Sequence, residues 1–135
     1  MKRFLDTNIL VYAQTEDPRA ARAREEIATG GIISVQVLNE FANVMRKKLD
    51  RSWEEISAAS ADIEAALGPA RPLTAGLHRE ALELAGRHSL SFYDALIIAS
   101  AANSDCGILL TEDMQSGVKI SGVQILNPFK SQERP

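Results

Sequence analysis

Residues 2–13 read KRFLDTNILVYA. An apolar strand, KRFL, runs into Asp6, and a second apolar stretch, ILVY, follows at once. Asp6 reads in two ways. As an N-cap it accepts hydrogen bonds from the first amides of a helix starting at Thr7 or Asn8. As an acid at the carboxyl end of a strand it stands where open α/β sheets keep their ligand sites. The remainder of the chain has to choose between them.

The chain has 135 residues, the length of one domain with a core of its own. Hydrophobic residues make up 45% and charged residues 24%, an ordinary globular mixture. A net charge of −3 excludes nucleic-acid binding by bulk positive charge, so any polyanion has to be held by local cations. The single Cys106 forms no internal disulfide and suits a reducing compartment. Asp6 and Asn8 break the first apolar run before it reaches the length of a signal-peptide core, and no stretch approaches the ~20 apolar residues of a membrane span. A cytoplasmic protein with no membrane partner is expected.

Beyond the first strand the pattern alternates. DPRAARAREEIA (17–28) opens with an Asp-Pro helix start, and GGIISV (30–35) reads as a short buried strand after a Gly-Gly break. QVLNEFANVMRKKL (36–49) spaces Val37, Phe41, Val44 and Met45 as an amphipathic helix. Ser52 and Glu55 form a capping-box pattern, and GPARP ends that helix. A strand near RPLT (71–74), a helix GLHREALELAGRH (76–88) and the apolar SFYDALIIASAANS (91–104) follow. A strand GILLT (107–111), a loop EDMQSGVKISG (112–122) and a last strand VQILNP (123–128) complete the chain. Strands separated by helices predict an α/β fold with a central, mainly parallel sheet flanked by helices. One domain over residues 1–130 and a short tail at 131–135 are expected.

Acids stand in awkward places in this pattern. Glu40 falls about 40° from Val44 on a helical wheel, at the border of the apolar stripe. Asp94 lies in the first turn of a helix that is apolar in nearly every direction, although Ser91 and Asp94 also have the spacing of a capping box. Glu112 and Asp113 end GILLT as Asp6 ends KRFL. In a parallel sheet both strand ends lie on one edge, where the outgoing helices begin. Asp6, Asp94 and Asp113 can converge there, with Glu40 reaching in from an early turn of its helix. Two like charges at ~4 Å repel by about 4 kcal/mol at an effective dielectric near 20, so a crowded set of carboxylates calls for protons or a cation. A donor set made only of oxygen selects Mg²⁺ or Mn²⁺ over zinc and leaves coordination places for water and phosphate. Metal-assisted hydrolysis of a phosphodiester fits that chemistry.

FLDTNILVY (4–12), VLNEF (37–41), SFYDALIIASA (91–101) and LLTEDMQSGVKI (109–120) occur in an order and spacing that resembles the PIN-domain ribonucleases, most closely the VapC-type toxins of type II toxin–antitoxin pairs. The resemblance implies a PIN-like three-layer fold, and an endoribonuclease that cuts single-stranded or looped RNA with Mg²⁺ (Mn²⁺ substituting). It assigns the metal-holding and catalytic acids to Asp6, Glu40, Asp94 and Asp113. Glu112 adjoins the last, and the sequence leaves open which of the two reaches the metal. Thr7, Asn8, Ser34 and Thr111 match small polar positions beside the acids. A cognate VapB-like antitoxin that blocks the acidic groove, and a homodimer, are further implications.

Arg46, Lys47, Lys48 and Arg51 form the densest basic group and are the candidates for gripping RNA. Arg19, Arg22 and Arg24 form a second group. Each of these cations also reads as part of a solvated helix face. His78 and His88 lie outside the acid pattern and read as structural or exposed. Two rival enzyme and switch families fit poorly. A haloacid-dehalogenase-type phosphatase wants a second Asp where this chain has Asn8, and a response-regulator receiver wants paired acids after its first strand. The remaining alternative is a PIN-like module that binds protein without catalysis.

Overall fold

The computed structural model describes residues 2–130; the expected tail at 131–135 lies outside the described residues. Strand β1 (Arg3–Leu5) leads into six helices: α1 (Thr7–Ala13), α2 (Ala20–Thr29), α3 (Val35–Lys47), α4 (Trp53–Leu67), α5 (Ala75–His88) and α6 (Phe92–Asn103). Strands β2 (Ile108–Leu110), β3 (Lys119–Ile120) and β4 (Val123–Leu126) follow. The sheet order is β1-β2-β4-β3, parallel from β1 through β2 to β4 and antiparallel only between β4 and β3. This is the α/β architecture that the alternating sequence predicts.

Short side chains and polar caps decide where each helix begins. The hydroxyls of Ser34, Ser52, Thr74 and Ser91 each accept from a backbone amide of the first turn, and Ser52 with Glu55 closes a full capping box. Helix α2 starts at Ala20, after Pro18, and the Asp17 carboxylate accepts from the Arg19 amide at 2.8 Å. Helix α6 is buried from Ala95 through Ala101, packs on α5 and touches β2 and β4. The core joins Phe4 and Leu5 of β1, Leu109 and Leu110 of β2, Val123 and Ile125 of β4, and Phe41 and Met45 of α3.

Two expected strands shrink to single bridges. Ile32 pairs with Phe4 and Ser34 pairs with Arg71, both in parallel, so these segments extend the sheet past β1 by one contact each. Ser34 already caps α3, which stops the first from continuing. Pro72 has no N–H to offer a ladder, which stops the second. Conversely, the segment expected as a loop at 112–122 contains β3. Ser121 and Gly122 both adopt positive φ, 52° and 79°, the geometry of a two-residue hairpin turn between β3 and β4. Among the described residues no helix is long and apolar enough to cross a membrane.

Gly31 marks the tightest approach between the first crossover and β1. A Cβ there would meet Leu5 Cδ1 at 1.9 Å and the Arg3 carbonyl oxygen at 3.1 Å. Leu5 is fully buried and has nowhere to swing. Gly31→Ala is expected to destabilise the fold by about 1–3 kcal/mol, the cost of overpacking a filled core. Urea unfolding read by circular dichroism checks this, and an unchanged midpoint would contradict the packing account.

Candidate active site

The backbone carries the first two site segments to a common edge. The Asp6 amide donates to the Leu110 carbonyl at 3.0 Å and the Thr111 amide to the Leu126 carbonyl at 3.0 Å, so the ladder runs one residue past β1 and β2. Asp6 and Thr111 therefore stand side by side at the carboxyl ends of two parallel strands. The Asp6 side chain is 4% exposed; its Oδ1 accepts from the Thr7 amide at 2.7 Å and its Oδ2 from the Thr111 hydroxyl at 2.7 Å. Both readings of Asp6 hold at once: it caps α1, and it is a carboxylate at the sheet's ligand edge.

Thr111 is the hub of this edge. Its Oγ1 donates to Asp6 and accepts from Asn8 Nδ2 and from the Asp113 amide, each at 3.1 Å. Asn8 Nδ2 also donates to Asp113 Oδ2 at 3.1 Å, while Asn8 Oδ1 accepts from the Glu112 amide at 3.2 Å. Asn8 thus ties the first turn of α1 to the loop after β2 and aims Asp113 toward Asp6.

Glu112 faces elsewhere. Tyr12 donates its phenol to Glu112 Oε1 at 2.5 Å, and Arg19 pairs with the same oxygen at 3.3 Å while also donating to the Tyr12 hydroxyl. Nothing in the sequence pattern singles out Tyr12, and Arg19 reads only as one of a group of cations. The one available signal was helical spacing: Tyr12 follows Asn8 by four residues, on the same face of α1.

Glu40 and Asp94 complete the set. Glu40 is half-buried on α3 and its Oε2 accepts from Gln36 Nε2 one turn earlier, at 3.0 Å. Asp94 sits in the first turn of α6, its amide bonded to Ser91 Oγ at 3.2 Å. The acids share one electrostatic field. Burial pushes the Asp6 carboxyl up from 3.8 to about 6, the Thr111 and Thr7 hydrogen bonds oppose the shift, and Glu40 and Asp113 add to it. Burial also raises Glu40, opposed by Gln36 and reinforced by Asp94 and Asp113. Asp94 is raised by burial, lowered by Ser91 and raised by Asp113.

Mutual repulsion, expected to dominate, is not the leading cause. Burial is the larger cause for every one of these shifts and crowding the smaller. Among the described residues no three His, Cys, Asp or Glu side chains are gathered closely enough to encircle an ion. The donor set still suits a hard divalent cation held by few carboxylates and several waters, as Mg²⁺ is commonly bound. The Thr7 hydroxyl, buried and without a hydrogen-bond partner, is an orphan at the same edge; such groups commonly face a water or ion. Ser34, fully buried, spends its hydroxyl on the Val37 amide at 3.4 Å, capping α3.

The expected RNA-gripping cations divide. Arg46 donates to the Arg51 carbonyl and lies over the Trp53 ring, 5.3 Å from its centroid, and Arg51 donates to the Gln14 carbonyl. Lys47 and Lys48 are exposed. Lys47 follows Glu40 by seven residues along α3, a rise of about 10 Å. Arg22 pairs with Glu26 one turn along α2, and Arg24 donates to the Ala13 and Thr15 carbonyls, tying α2 to the end of α1. His78 lies against the Phe92 ring, centroids 5.3 Å apart, and His88 ends α5, both outside the acid set.

The PIN domain family model matches residues 3–115. No curated protein matches the chain. Among solved structures, the fold is similar to a toxin–antitoxin complex from Klebsiella pneumoniae, at 17% identity and a TM-score of 0.72 over 94% of this chain and 98% of that one. It is similar to VapBC2 from Rickettsia felis bound to a promoter DNA fragment, at 22% identity and a TM-score of 0.69 over 94% and 98%. It is also similar to VapC20 of Mycobacterium tuberculosis, described as a toxin that cleaves the sarcin–ricin loop, at 22% identity and a TM-score of 0.66 over 80% and 87%.

The raised Asp6 has a consequence for stability. Folded, this carboxyl keeps its proton up to about pH 6; unfolded, it releases it near 3.8. The folded state therefore binds more protons across that window, and Asp6 costs stability as pH rises through it. With no added metal, Asp6→Asn is expected to gain on the wild type between about pH 4 and pH 7, by up to about 3 kcal/mol. Denaturant titrations of both proteins at several pH values measure the difference. A difference flat with pH would contradict the burial of an ionisable Asp6.

Proposed function

The chain belongs to the PIN domain family, and from that premise we propose that it is a metal-dependent endoribonuclease acting as the toxin of a type II toxin–antitoxin pair. The observation that carries the reading is the shared field of four acids from distant segments: Asp113 raises the proton affinity of Asp6, Glu40 and Asp94, Glu40 adds to that of Asp6, and Asp94 to that of Glu40, all behind the larger effect of burial. The fold's likeness to VapC20 and to two toxin–antitoxin complexes supports the biological setting.

In this reading Asp6, Asp94 and Asp113 hold one or two Mg²⁺ or Mn²⁺ ions, directly or through water. A bound divalent ion there supplies a hydroxide near neutral pH and neutralises charge on the attacked phosphate. Thr111 and the Thr7 amide fix the orientation of Asp6, and Asn8 fixes that of Asp113, so neither carboxylate reorganises when substrate arrives. Glu40, restrained by Gln36, orients the attacking water or completes the ion's surroundings. Glu112 is left outside this set, because Tyr12 and Arg19 both engage its Oε1 and turn it toward α1 and the start of α2. Exposed Lys47 and Lys48 are the members of the α3 cluster free to meet a phosphate backbone. The proposed partners are the RNA substrate, an antitoxin that covers the acidic edge with a cationic segment, and a second copy of the chain.

Cleavage of a panel of single-stranded and stem-loop RNAs, with Mn²⁺, Mg²⁺ or chelator, tests the reading. Asp6→Asn, Asp94→Asn and Asp113→Asn are each expected to melt cooperatively and to cut at least about a hundredfold more slowly. Glu112→Gln is expected to stay within about tenfold of the wild type, as a group that only supports its neighbours. Cleavage that survives chelation, or an Asp6→Asn protein as fast as wild type, would overturn the assignment. A folded wild type that cuts no RNA and binds only an antitoxin would favour a non-catalytic module.

A further inference from the structure

Beside the acids, α3 and the start of α6 border an open hollow of about 290 Å³ lined by Gln36, Asn39, Glu40, Asn43 and Tyr93. The α3 residues recur at i, i+3, i+4 and i+7, so they form one stripe along a single helix face. Its composition is unusual for a surface stripe: three amides and one carboxylate, with no Lys or Arg. Tyr93 forms the opposite wall. It is 60% exposed, among the few large hydrophobic side chains left open to solvent. Its ring is nevertheless held: Phe92 packs against it at 5.7 Å between centroids and 63°, and His78 packs against Phe92 at 5.3 Å. Tyr93 immediately precedes Asp94, and Glu40 belongs to both the hollow and the acid set.

We propose that this hollow receives one unstacked nucleobase of a single-stranded RNA, stacked on Tyr93 and read along its edge by the amides of Asn39 and Asn43. The inference rests on the ribonuclease reading and names how that site selects its substrate. A phosphate is the wrong occupant, since the lining offers it no cation and presents Glu40. An acidic peptide is excluded on the same ground. A neutral, planar group with alternating donors and acceptors matches the lining, because each amide side chain offers both kinds of group. The volume is just under the ~300–1,000 Å³ of drug-sized pockets, which suits a single heterocycle. Single-stranded RNA is commonly recognised by aromatic stacking together with hydrogen bonds to the edges of splayed bases. Gln36, whose Nε2 is committed to Glu40, couples the reading stripe to the acid set.

The test uses the full chain with Mn²⁺ and short single-stranded RNAs carrying each of the four bases at every position around the scissile bond. Tyr93→Ala is expected to raise KM about tenfold, the size of a lost base–aromatic stack, with a smaller change in kcat. Tyr93→Phe and Tyr93→Trp are expected to stay near wild type. The double change Asn39→Ala with Asn43→Ala is expected to flatten the base preference at one position while the best substrate is still cut. Binding of the same RNAs by an Asp6→Asn protein, with and without Tyr93→Ala, is expected to weaken in parallel with the KM change. A Tyr93→Ala protein that cuts with wild-type KM and base profile would overturn the inference and leave the ribonuclease reading intact. So would variants in which only antitoxin binding weakens. A wild type that cuts no RNA would remove both.

Discussion

A hydrogen bond between two strand ends organises this molecule's chemistry. Thr111, one residue beyond β2, donates its hydroxyl to Asp6, one residue beyond β1, and both side chains are buried. Parallel pairing makes that contact possible, because it brings the carboxyl ends of β1 and β2 to the same edge. Had the strands been antiparallel, the two residues would lie at opposite ends of the sheet. The same hydroxyl accepts from Asn8 and from the Asp113 amide, so one small side chain sets the position of two acids and a helix start.

Burying Asp6 is a conflict that the fold maintains rather than resolves. Its two hydrogen bonds favour the ionised form, yet burial outweighs them and the neighbouring carboxylates add to the imbalance. A site tuned only for stability would replace this carboxylate with an amide. Keeping it makes sense where a cation restores the balance, and the widely spaced acids leave that cation room for water and a substrate oxygen. Several arginines are engaged with other acids: Arg3 and Arg22 hold Glu26, and Arg19 holds Glu112. Among the described residues no ion pair reaches Asp6, Glu40, Asp94 or Asp113.

The alternation of strands and helices, and the motif acids, were legible because each depends on short-range pattern. KRFL, GILLT and VQIL each carry adjacent apolar residues closed by a polar one, and the α3 periodicity survives at Val37, Phe41 and Met45, all buried. What the sequence could not convey was pairing. Whether GGIISV becomes a strand or a single bridge depends on how soon Ser34 caps α3. The β3–β4 hairpin is marked only by Ser121-Gly122 between Ile120 and Val123, a short turn signal inside a stretch that otherwise reads as loop. The different surroundings of Glu112 and Asp113 were also illegible, since they depend on Tyr12 and Arg19 reaching across to Glu112 from α1 and the turn before α2. Conversely, the amide stripe facing Tyr93 was present at helical spacing, but its meaning needs the start of α6 placed opposite.

The central claim is that divalent-ion binding is confined to this edge. Paramagnetic broadening by Mn²⁺, followed in the amide NMR spectrum as the ion is titrated, reads that location directly. The account predicts saturable broadening centred on the amides around Asp6, Glu40, Asp94 and Asp113, abolished by Asp6→Asn and absent at the α3 C-terminus. Broadening spread evenly over the surface carboxylates, or unchanged in Asp6→Asn, would contradict it.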